Sequence, residues 1–208
     1  MLLRQGIAAL GLDVSAAQQR LLIDYLRLLQ KWNGAYNLSA VREPLQMVTQ
    51  HLLDCLAIVR PLERQLQRTD PHILDVGSGA GLPGVVLATL RPIWSVCCVD
   101  AVAKKATFVR QVAAELGLKN LRAEHGRVEV LSLPPFDLAV SRAFASLSDF
   151  SSLTRSLLAP QGAWLAMKGR LPVNEMAALP ADVAVFHVEQ LSVPGLDAQR
   201  CLVWMRPV

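Results

Sequence analysis

Apolar residues change their spacing near residue 70, and this change divides the chain into two predicted parts. In the first part they recur at the three-to-four-residue interval of an amphipathic helix. The apolar face follows Ser15-Ala16-Ala17-Gln18, whose serine and glutamine have the spacing of a capping box. It consists of Leu21, Leu22, Tyr25, Leu26, Leu28, Leu29 and Trp32.

The breaks in this helical pattern come at residues that end helices. Gly34 and Asn37 are predicted to end the first helix, and a second helix is predicted to begin at Pro44 and to end at Pro61. Residues 1–70 are therefore predicted to form an N-terminal helical extension.

After residue 70, short apolar strands alternate with helices, which is typical of a parallel sheet covered by helices. Strands are predicted at 72–76, 93–99, 120–124, 136–141 and 162–167, and helices at 83–90, 102–116 and 148–158. Two last strands, at 183–188 and 200–205, have a turn and no helix between them, so they are predicted to pair antiparallel. Residues 71–208 are thus predicted to be one α/β domain with a Rossmann-like, mostly parallel sheet that ends in an antiparallel hairpin.

Composition narrows the class of protein. The chain has 208 residues, of which 52% are hydrophobic, and no apolar run is long enough to cross a bilayer. Its four cysteines have no C-x-x-C spacing and its four histidines are scattered, so we expect a cytoplasmic protein without a metal site. The net charge of +4 is a mild indication of a polyanionic partner.

The segment from Asp75 to Gly84 predicts a cofactor loop between a strand and a helix, and it fits two cofactors. Gly79, Gly81 and Gly84 match G-x-G-x-x-G, which binds the pyrophosphate of a dinucleotide at a helix N-terminus. Counted from Asp75, the segment is D-x-G-x-G-x-G, the form found in methyltransferases that use S-adenosylmethionine (AdoMet).

Charge favours AdoMet. A carboxylate at Asp75 would repel a pyrophosphate, whereas AdoMet carries a sulfonium and an ammonium group and no phosphate. Asp100, at the end of the next strand, suits the ribose hydroxyls of either cofactor. The terminal hairpin is the methyltransferase arrangement, so AdoMet is the predicted cofactor.

The residues near the fourth strand indicate which kind of atom is methylated. Leu133-Pro134-Pro135-Phe136 precedes the strand and lacks the leading Asn or Asp of amine methyltransferases, so it is interpreted as a loop. No cysteine follows a proline, which argues against carbon-5 pyrimidine methylation, and no general base is evident. An acceptor that already has a free lone pair, such as guanine N7, fits this pattern because it loses no proton on alkylation.

A set of segments spread over nearly the whole chain carries a resemblance to a known family. They are Trp32 to Leu38, His51 to Asp54, Gly81-Leu82-Pro83-Gly84, Lys104-Lys105, Arg127-Val128-Glu129, Ser141-Arg142-Ala143-Phe144-Ala145 and Met167-Lys168-Gly169. In these segments the sequence resembles the bacterial 16S ribosomal RNA guanine-N7 methyltransferase G family, also called glucose-inhibited division protein B. Ala101 and Lys105 depart from the common pattern, which often has Ser and Arg there. The resemblance implies methylation of N7 of guanine 527 in the 530 loop of 16S ribosomal RNA.

The resemblance also implies roles for individual residues. Asp100 would hold the ribose, Val128 and Glu129 would lie beside the adenine, and Arg142 would bind the cofactor carboxylate or the target nucleotide, with a structural ion pair as the competing role. The implied AdoMet-binding set is Gly77, Gly79, Leu82, Asp100, Val128, Glu129 and Arg142, of which Arg142 is also the implied catalytic residue. The implied contacts to RNA phosphates are Lys104, Lys105, Arg127 and Lys168.

Other side chains of the matching segments are expected to be structural, and two other functions stay open. His51 and Asp54 share a helix face and are expected to stabilise the fold, and Trp32 and Tyr36 are expected in the core. The expected partner is 16S rRNA, the small ribosomal subunit or its assembly intermediate, bound by a monomer. The alternatives are a small-molecule AdoMet methyltransferase and a non-catalytic RNA-binding factor.

Overall fold

The sheet predicted for the second part of the chain is present. The computed structural model describes residues 1–142, 144 and 146–208, so Ala143 and Ala145 of the motif after the fourth strand lie outside the described residues. Within that part of the chain, the strands are β1 (His72–Val76), β2 (Ser95–Asp100), β3 (Leu121–His125), β4 (Phe136–Ser141), β5 (Leu158–Lys168), β6 (Val183–Leu191) and β7 (Arg200–Pro207).

These strands form one sheet with the order β3-β2-β1-β4-β5-β7-β6. Neighbours among β1 to β5 are parallel, whereas β7 is antiparallel to both β5 and β6. The predicted fold class, including the terminal antiparallel hairpin, is confirmed.

The helices connect the strands and cover the sheet. Their first and last residues differ from the predicted ones by a few positions. The predicted helix 148–158 ends at Thr154 and is followed by a 3₁₀ turn, Arg155–Leu157, because Leu158 already pairs with Phe136 as the first residue of β5. The α-helices are α1 (Leu2–Ala9), α2 (Ala16–Tyr36), α3 (Pro44–Met47), α4 (Asp54–Leu56), α5 (Val59–Gln65), α6 (Gly84–Leu90), α7 (Ala103–Glu115), α8 (Leu147–Thr154) and α9 (Val173–Ala177).

The N-terminal helices begin and end for identifiable reasons. The capping box is present: Ser15 Oγ accepts from Gln18 N, and the Gln18 side chain accepts from Ser15 N. The predicted break at Gly34 is wrong, because α2 continues to Tyr36 and ends where Asn37 adopts a left-handed φ of 49°. Pro61 does not end a helix either, since it lies in the first turn of α5, where a missing N–H is tolerated.

Between α3 and α4 the chain forms a π-helix, Val48–Leu53, which the sequence pattern did not predict. π-Helical turns are rare and occur frequently at functional sites. Here the turn carries Gln50 and His51 and is followed directly by Asp54.

The core has two layers because side chains alternate between the faces of a sheet. One face of the sheet, with Ile73 and Leu138, packs against helices from both parts of the chain, including Leu22 of α2 and Val86 of α6. The other face packs against α8, whose Phe150 contributes to the second cluster. Residues before and after position 70 therefore share one hydrophobic core.

None of the helices in the described part of the chain is both long enough and apolar enough to span a membrane.

Candidate functional site

The predicted site residues lie along one edge of the sheet, the carboxyl edge of the parallel strands. Gly77 follows β1, Asp100 ends β2, Val128 lies just after β3, Arg142 follows β4 and Lys168 ends β5. The chain leaves β1 for β2 on one side and later returns to β4 on the other side. Such a switch point leaves a crevice outside the strand ends, where ligands bind in open α/β sheets.

The glycine loop leaves room for a ligand at two of its positions. Gly77 and Gly79 have φ values of 66° and 59°, and a Cβ added to either would meet no atom within 4 Å. At Gly84, by contrast, a Cβ would collide with Cys98 Sγ and lie 2.9 Å from Asp75 Oδ2. The first two glycines are thus open toward solvent, as close approach of a cofactor requires, and the last one serves packing.

Asp100 joins this loop to the end of β2. Its Oδ2 accepts from Gly79 N at 2.9 Å, its Oδ1 accepts from Val102 N at 2.8 Å, and Lys105 Nζ lies 3.8 Å away. The carboxylate therefore fixes the loop and the entry to α7. Each oxygen keeps a further lone pair, so the residue fits a group that offers hydroxyl donors, as ribose does.

Asp75 has a different partner from the one expected from its charge. It is fully buried, and its Oδ2 accepts from Gly84 N at 2.7 Å. Burial raises the pKa of this carboxyl to about 7, although the hydrogen bond from Gly84 opposes the shift. Asp75 anchors the start of α6 inside the protein, so the interpretation in which it faces the positive charges of AdoMet is wrong.

Three other predicted cofactor contacts differ in exposure. The side chains of Leu82 and Val128 are buried in the hydrophobic core, which leaves only their backbone for a ligand. Glu129 is exposed and accepts from Arg127 Nε at 2.6 Å. That hydrogen bond contributes to lowering the pKa of Glu129, after a hydrogen bond to its own backbone.

Arg142 makes its described contacts with the N-terminal part of the chain. Its Nη1 donates to Gln50 O at 3.0 Å and lies 3.4 Å from Asp54 Oδ2. On the other side of the same carboxylate, Arg200 Nε donates to Asp54 Oδ1 at 2.7 Å. The ion pair that was considered as the competing role of Arg142 is therefore present, and Asp54 brings two arginines to the crevice.

A cavity of about 350 Å³ opens beside this cluster. Its wall includes His51, whose Nε2 is 2.8 Å from Ser39 Oγ and whose buried Nδ1 has no partner among the described residues. Burial, followed by the charge of Arg142, lowers the pKa of His51 to about 4, so the imidazole is neutral at physiological pH. The lining residues are Gln50, His51, Asp54, Arg142, Met167, Lys168, Gly169 and Arg200.

The predicted RNA-contacting residues lie along the same edge of the sheet, but their side chains differ in exposure and in ion pairing. Lys168 Nζ forms an ion pair with Glu175 at 2.8 Å, and Arg127 is paired with Glu129 although its side chain is 75% exposed. Lys104 is exposed and Lys105 is half-buried near Asp100.

Arg200 was missed from the sequence, although a signal was present. A strand that pairs antiparallel with β5 must begin where β5 ends, and the register places Cys201 opposite Lys168. A basic residue at the start of the last strand is therefore brought to the carboxyl edge. Tyr36, expected in the core, is 46% exposed and packs against Trp32 at 5.2 Å between ring centroids.

The described residues contain no group of three or more His, Cys, Asp or Glu side chains arranged to hold a metal ion.

Comparison with solved structures shows which fold this is. TrmN from Thermus thermophilus is 22% identical with a TM-score of 0.59, and the match covers 74% of this chain and 48% of that one. A SAM-dependent methyltransferase from Aquifex aeolicus is 16% identical with a TM-score of 0.58, covering 74% and 91%. These likenesses show that the sheet and its helices have the Rossmann-like methyltransferase fold.

Comparison with sequences shows the family. A protein named ribosomal RNA small subunit methyltransferase G from Methylibium petroleiphilum is 59% identical over 98% of this chain and 92% of its own length. One of the same name from Acidovorax sp. is 58% identical over 99% and 94%. The family model for rRNA small subunit methyltransferase G matches residues 18–203. The chain thus belongs to the rRNA small subunit methyltransferase G family and is an AdoMet-dependent methyltransferase.

Proposed function

We propose that the protein transfers a methyl group from AdoMet to N7 of guanine 527 in the 530 loop of 16S rRNA. The observation that carries the proposal is the position of the open glycine loop and the arginine-lined cavity on the two sides of one switch point. This arrangement provides adjacent places for a cofactor and for an electron-rich acceptor.

The proposed cofactor contacts come from the loops after β1, β2 and β3. Gly77 and Gly79 offer backbone without side-chain obstruction, and Asp100 offers carboxylate oxygens for the ribose hydroxyls. Leu82 and Val128 offer backbone groups, and Glu129 follows Val128 in the 3₁₀ turn after β3. AdoMet supplies, when bound, a methyl group on a positively charged sulfur.

The chemistry asked of the protein on the acceptor side is positioning. Guanine N7 already has a lone pair and carries no proton, so the reaction needs no general base. His51 is neutral, and its Nε2 is engaged by Ser39, so we assign it no proton transfer. Arg142 is proposed to hold the guanine in line with the methyl group, and such alignment is worth several orders of magnitude in rate.

The proposed partner is 16S rRNA, free or within the small subunit or an assembly intermediate, and the proposed acting form is a monomer in the cytoplasm. Lys104, Lys105, Arg127 and Lys168 are the proposed phosphate contacts, since lysine and arginine supply most of the contacts that position nucleic acid. We also propose that residues 1–70 act as an extension of a methyltransferase domain at 71–208.

The test is transfer of tritium-labelled methyl from AdoMet to small ribosomal subunits, and to deproteinised 16S rRNA, from cells that lack this gene. Label recovered as 7-methylguanosine is expected from the wild-type protein, with at least ~100-fold less from Arg142→Ala because alignment is lost. Label in another nucleoside would refute the proposed acceptor. Binding of AdoMet without any transfer to RNA would favour a small-molecule substrate, and absence of both would favour a non-catalytic factor.

Asp100→Ala tests the cofactor assignment separately. Its affinity for S-adenosylhomocysteine, measured by calorimetry, is expected to fall by ~10-fold or more, whereas its affinity for RNA stays near the wild-type value. Equal losses of both affinities would contradict a ribose contact by Asp100.

A further inference from the structure

The cavity beside Arg142 is built by both parts of the chain. The π-helix and α4 supply one wall, and the ends of β4 and β5 with the start of β7 supply the other. Its volume of about 350 Å³ falls within the range of small-ligand pockets. The residues that carry the argument are His51, Asp54, Arg142, Lys168 and Arg200.

Asp54 lies between two arginines from distant parts of the sequence. Its side chain is 3% exposed, whereas those of Arg142 and Arg200 are 27% and 25% exposed. The described contacts of Arg142 use Nη1 alone, and those of Arg200 use Nε and Nη1. A guanidinium has five N–H donors, and the Nη2 donors of both arginines have no partner among the described residues.

His51 belongs to the lining of the same cavity. Ser39 Oγ, which accepts from Val41 N at 3.1 Å, engages Nε2, and Nδ1 is buried without a partner in the described part of the chain. Nδ1 itself is closed to solvent, so the groups of this wall that can reach a ligand are the guanidinium groups of Arg142 and Arg200, whose side chains are 27% and 25% exposed. The cavity therefore has the features of a binding site for an electron-rich ligand.

The donor set discriminates between purines. Guanine carries O6 beside N7, and both atoms are hydrogen-bond acceptors, whereas adenine carries an amino group, a donor, in place of O6. Arginine N–H groups can bind guanine O6 while N7 stays directed at the methyl group. With adenine, the arginine N–H groups would meet an amino group that is also a donor, so no hydrogen bond could form.

We infer that this cavity receives the target guanosine, that Arg142 and Arg200 recognise its O6, and that Asp54 is the positioning residue that holds both arginines. The inference rests on the proposed function and deepens it. It makes the N-terminal segment part of the acceptor site, and it assigns the choice of guanine over adenine to a pair of arginines held by one carboxylate.

The first experiment compares Asp54→Asn and Arg200→Gln with the wild-type protein. Asparagine keeps the size and an acceptor oxygen but loses the charge that holds the guanidinium groups. The kcat for 16S rRNA is expected to fall at least ~100-fold in each variant, and the double variant is expected to be no worse than either single one, because the residues act as a unit. The KM for AdoMet should stay near the wild-type value in both variants. The melting temperature should stay near that of the wild type in Arg200→Gln and should fall in Asp54→Asn, because the two guanidinium groups lose their buried counter-charge.

The matched control is Glu63→Gln. Glu63 forms an ion pair with Arg91 that also joins the two parts of the chain, but this pair lies outside the cavity. The kcat of Glu63→Gln should equal that of the wild type. Wild-type kcat in Asp54→Asn, or losses that multiply in the double variant, would overturn the inference. If Asp54→Asn does not fold, Arg200→Gln decides alone, because the Asp54–Arg142 pair remains in it.

The second experiment changes the RNA and leaves the protein intact. 16S rRNA assembled by ligation would carry inosine or 2-aminopurine at the target position. Inosine keeps O6 and N7 and should be methylated, whereas 2-aminopurine keeps N7 but lacks O6 and should lose at least ~10-fold in kcat/KM. Equal rates for both would contradict recognition of O6. Failure of the wild-type protein on unmodified rRNA would reject the proposed function itself.

Discussion

At the scale of single residues, Asp75 shows that a motif carboxylate can serve the loop rather than its ligand. Its Oδ2 accepts from Gly84 N and lies 3.7 Å from Cys98 Sγ, while its Oδ1 has no partner within the described residues. A fully buried carboxyl with one oxygen unsatisfied resists ionisation, which is why its pKa rises to about 7.

Asp75 should therefore make stability depend on pH. Because its native pKa of about 7 exceeds the unfolded value of 3.8, the native state binds more protons between these values, and its contribution to the free energy of unfolding falls as pH rises from about 4 to about 7. His51 acts oppositely: its native pKa of about 4 lies below 6.5, so its contribution rises with pH over that interval.

Asp75→Asn should remove the contribution of Asp75 to the pH dependence of stability and leave that of His51. The free energy of unfolding would be measured in urea at pH 5, 6, 7 and 8. The value for the variant minus that for the wild type is expected to increase as pH rises, by at most about 1.4 kcal/mol per pH unit. Asp24→Asn, on α2 with a side chain that is 44% exposed, serves as the control and should parallel the wild type. A difference between Asp75→Asn and wild type that does not change with pH would contradict the assignment.

At the scale of elements, the start of α2 ties the N-terminal helices to the sheet domain. Gln18 completes the capping box and also donates from Nε2 to Thr89 O and Leu90 O at the end of α6. Tyr25, further along α2, donates to Ala80 O within the glycine loop at 2.9 Å. One amide thus satisfies the first turn of one helix and the last carbonyls of another.

Removing these hydrogen bonds should destabilise the protein in a fixed order. Ser15→Ala loses one capping bond and should cost about 1 kcal/mol, and Gln18→Ala should cost about 2 kcal/mol because it also leaves two carbonyls without their partner. Ser152→Ala, at an exposed interior position of α8, should cost nothing because alanine favours helix. Urea titration measures all three, and a smaller loss for Gln18→Ala than for Ser15→Ala would disprove the dual role.

The elements that sequence periodicity could predict are those defined by local patterns. β1, β4, α6 and the terminal hairpin follow from apolar runs bounded by glycine, proline and chain turns, and they lie within a few residues of their predicted positions. The π-helix was not predictable in this way, because its hydrogen-bond shift leaves no distinct period in six residues.

The same distinction applies to the site. Gly77, Gly79 and Asp100 come together because they follow neighbouring parallel strands, which sequence order alone suggests. The bond between Asp54 and Arg200 joins residues 146 positions apart, and no local pattern indicates it. Asp75 illustrates a third case: its charge suggested a ligand, but burial decided its partner.

At the scale of the whole molecule, the basic groups near the site are proposed to give RNA binding a dependence on salt. Lys104 and Lys105 lie at the start of α7, at the carboxyl edge. Replacing both by glutamine should raise the KM for rRNA. It should also reduce the slope of log KM against log salt by roughly 0.7 for each phosphate that the variant no longer neutralises, the value for single strands.

The control for this experiment is Arg4→Gln with Arg20→Gln. Both arginines are exposed on α1 and α2, and the start of α2 packs against the end of α6, away from the glycine loop. The slope of log KM against log salt should be unchanged in this double variant. An equal change of slope in both double variants would mean that the lysines act only through net charge.

The central claim is methylation of one guanine at N7, and the measurement that tests it most directly is mapping of the modified position. 16S rRNA treated with the protein and AdoMet would be reduced with borohydride and cleaved with aniline, which breaks the chain at 7-methylguanosine, and the break located by primer extension. The account predicts a new stop one nucleotide 3′ of guanine 527 with the wild-type protein, because cleavage at that base ends the template there, and none with Arg142→Ala. A stop elsewhere, or labelled RNA without cleavage, would contradict it.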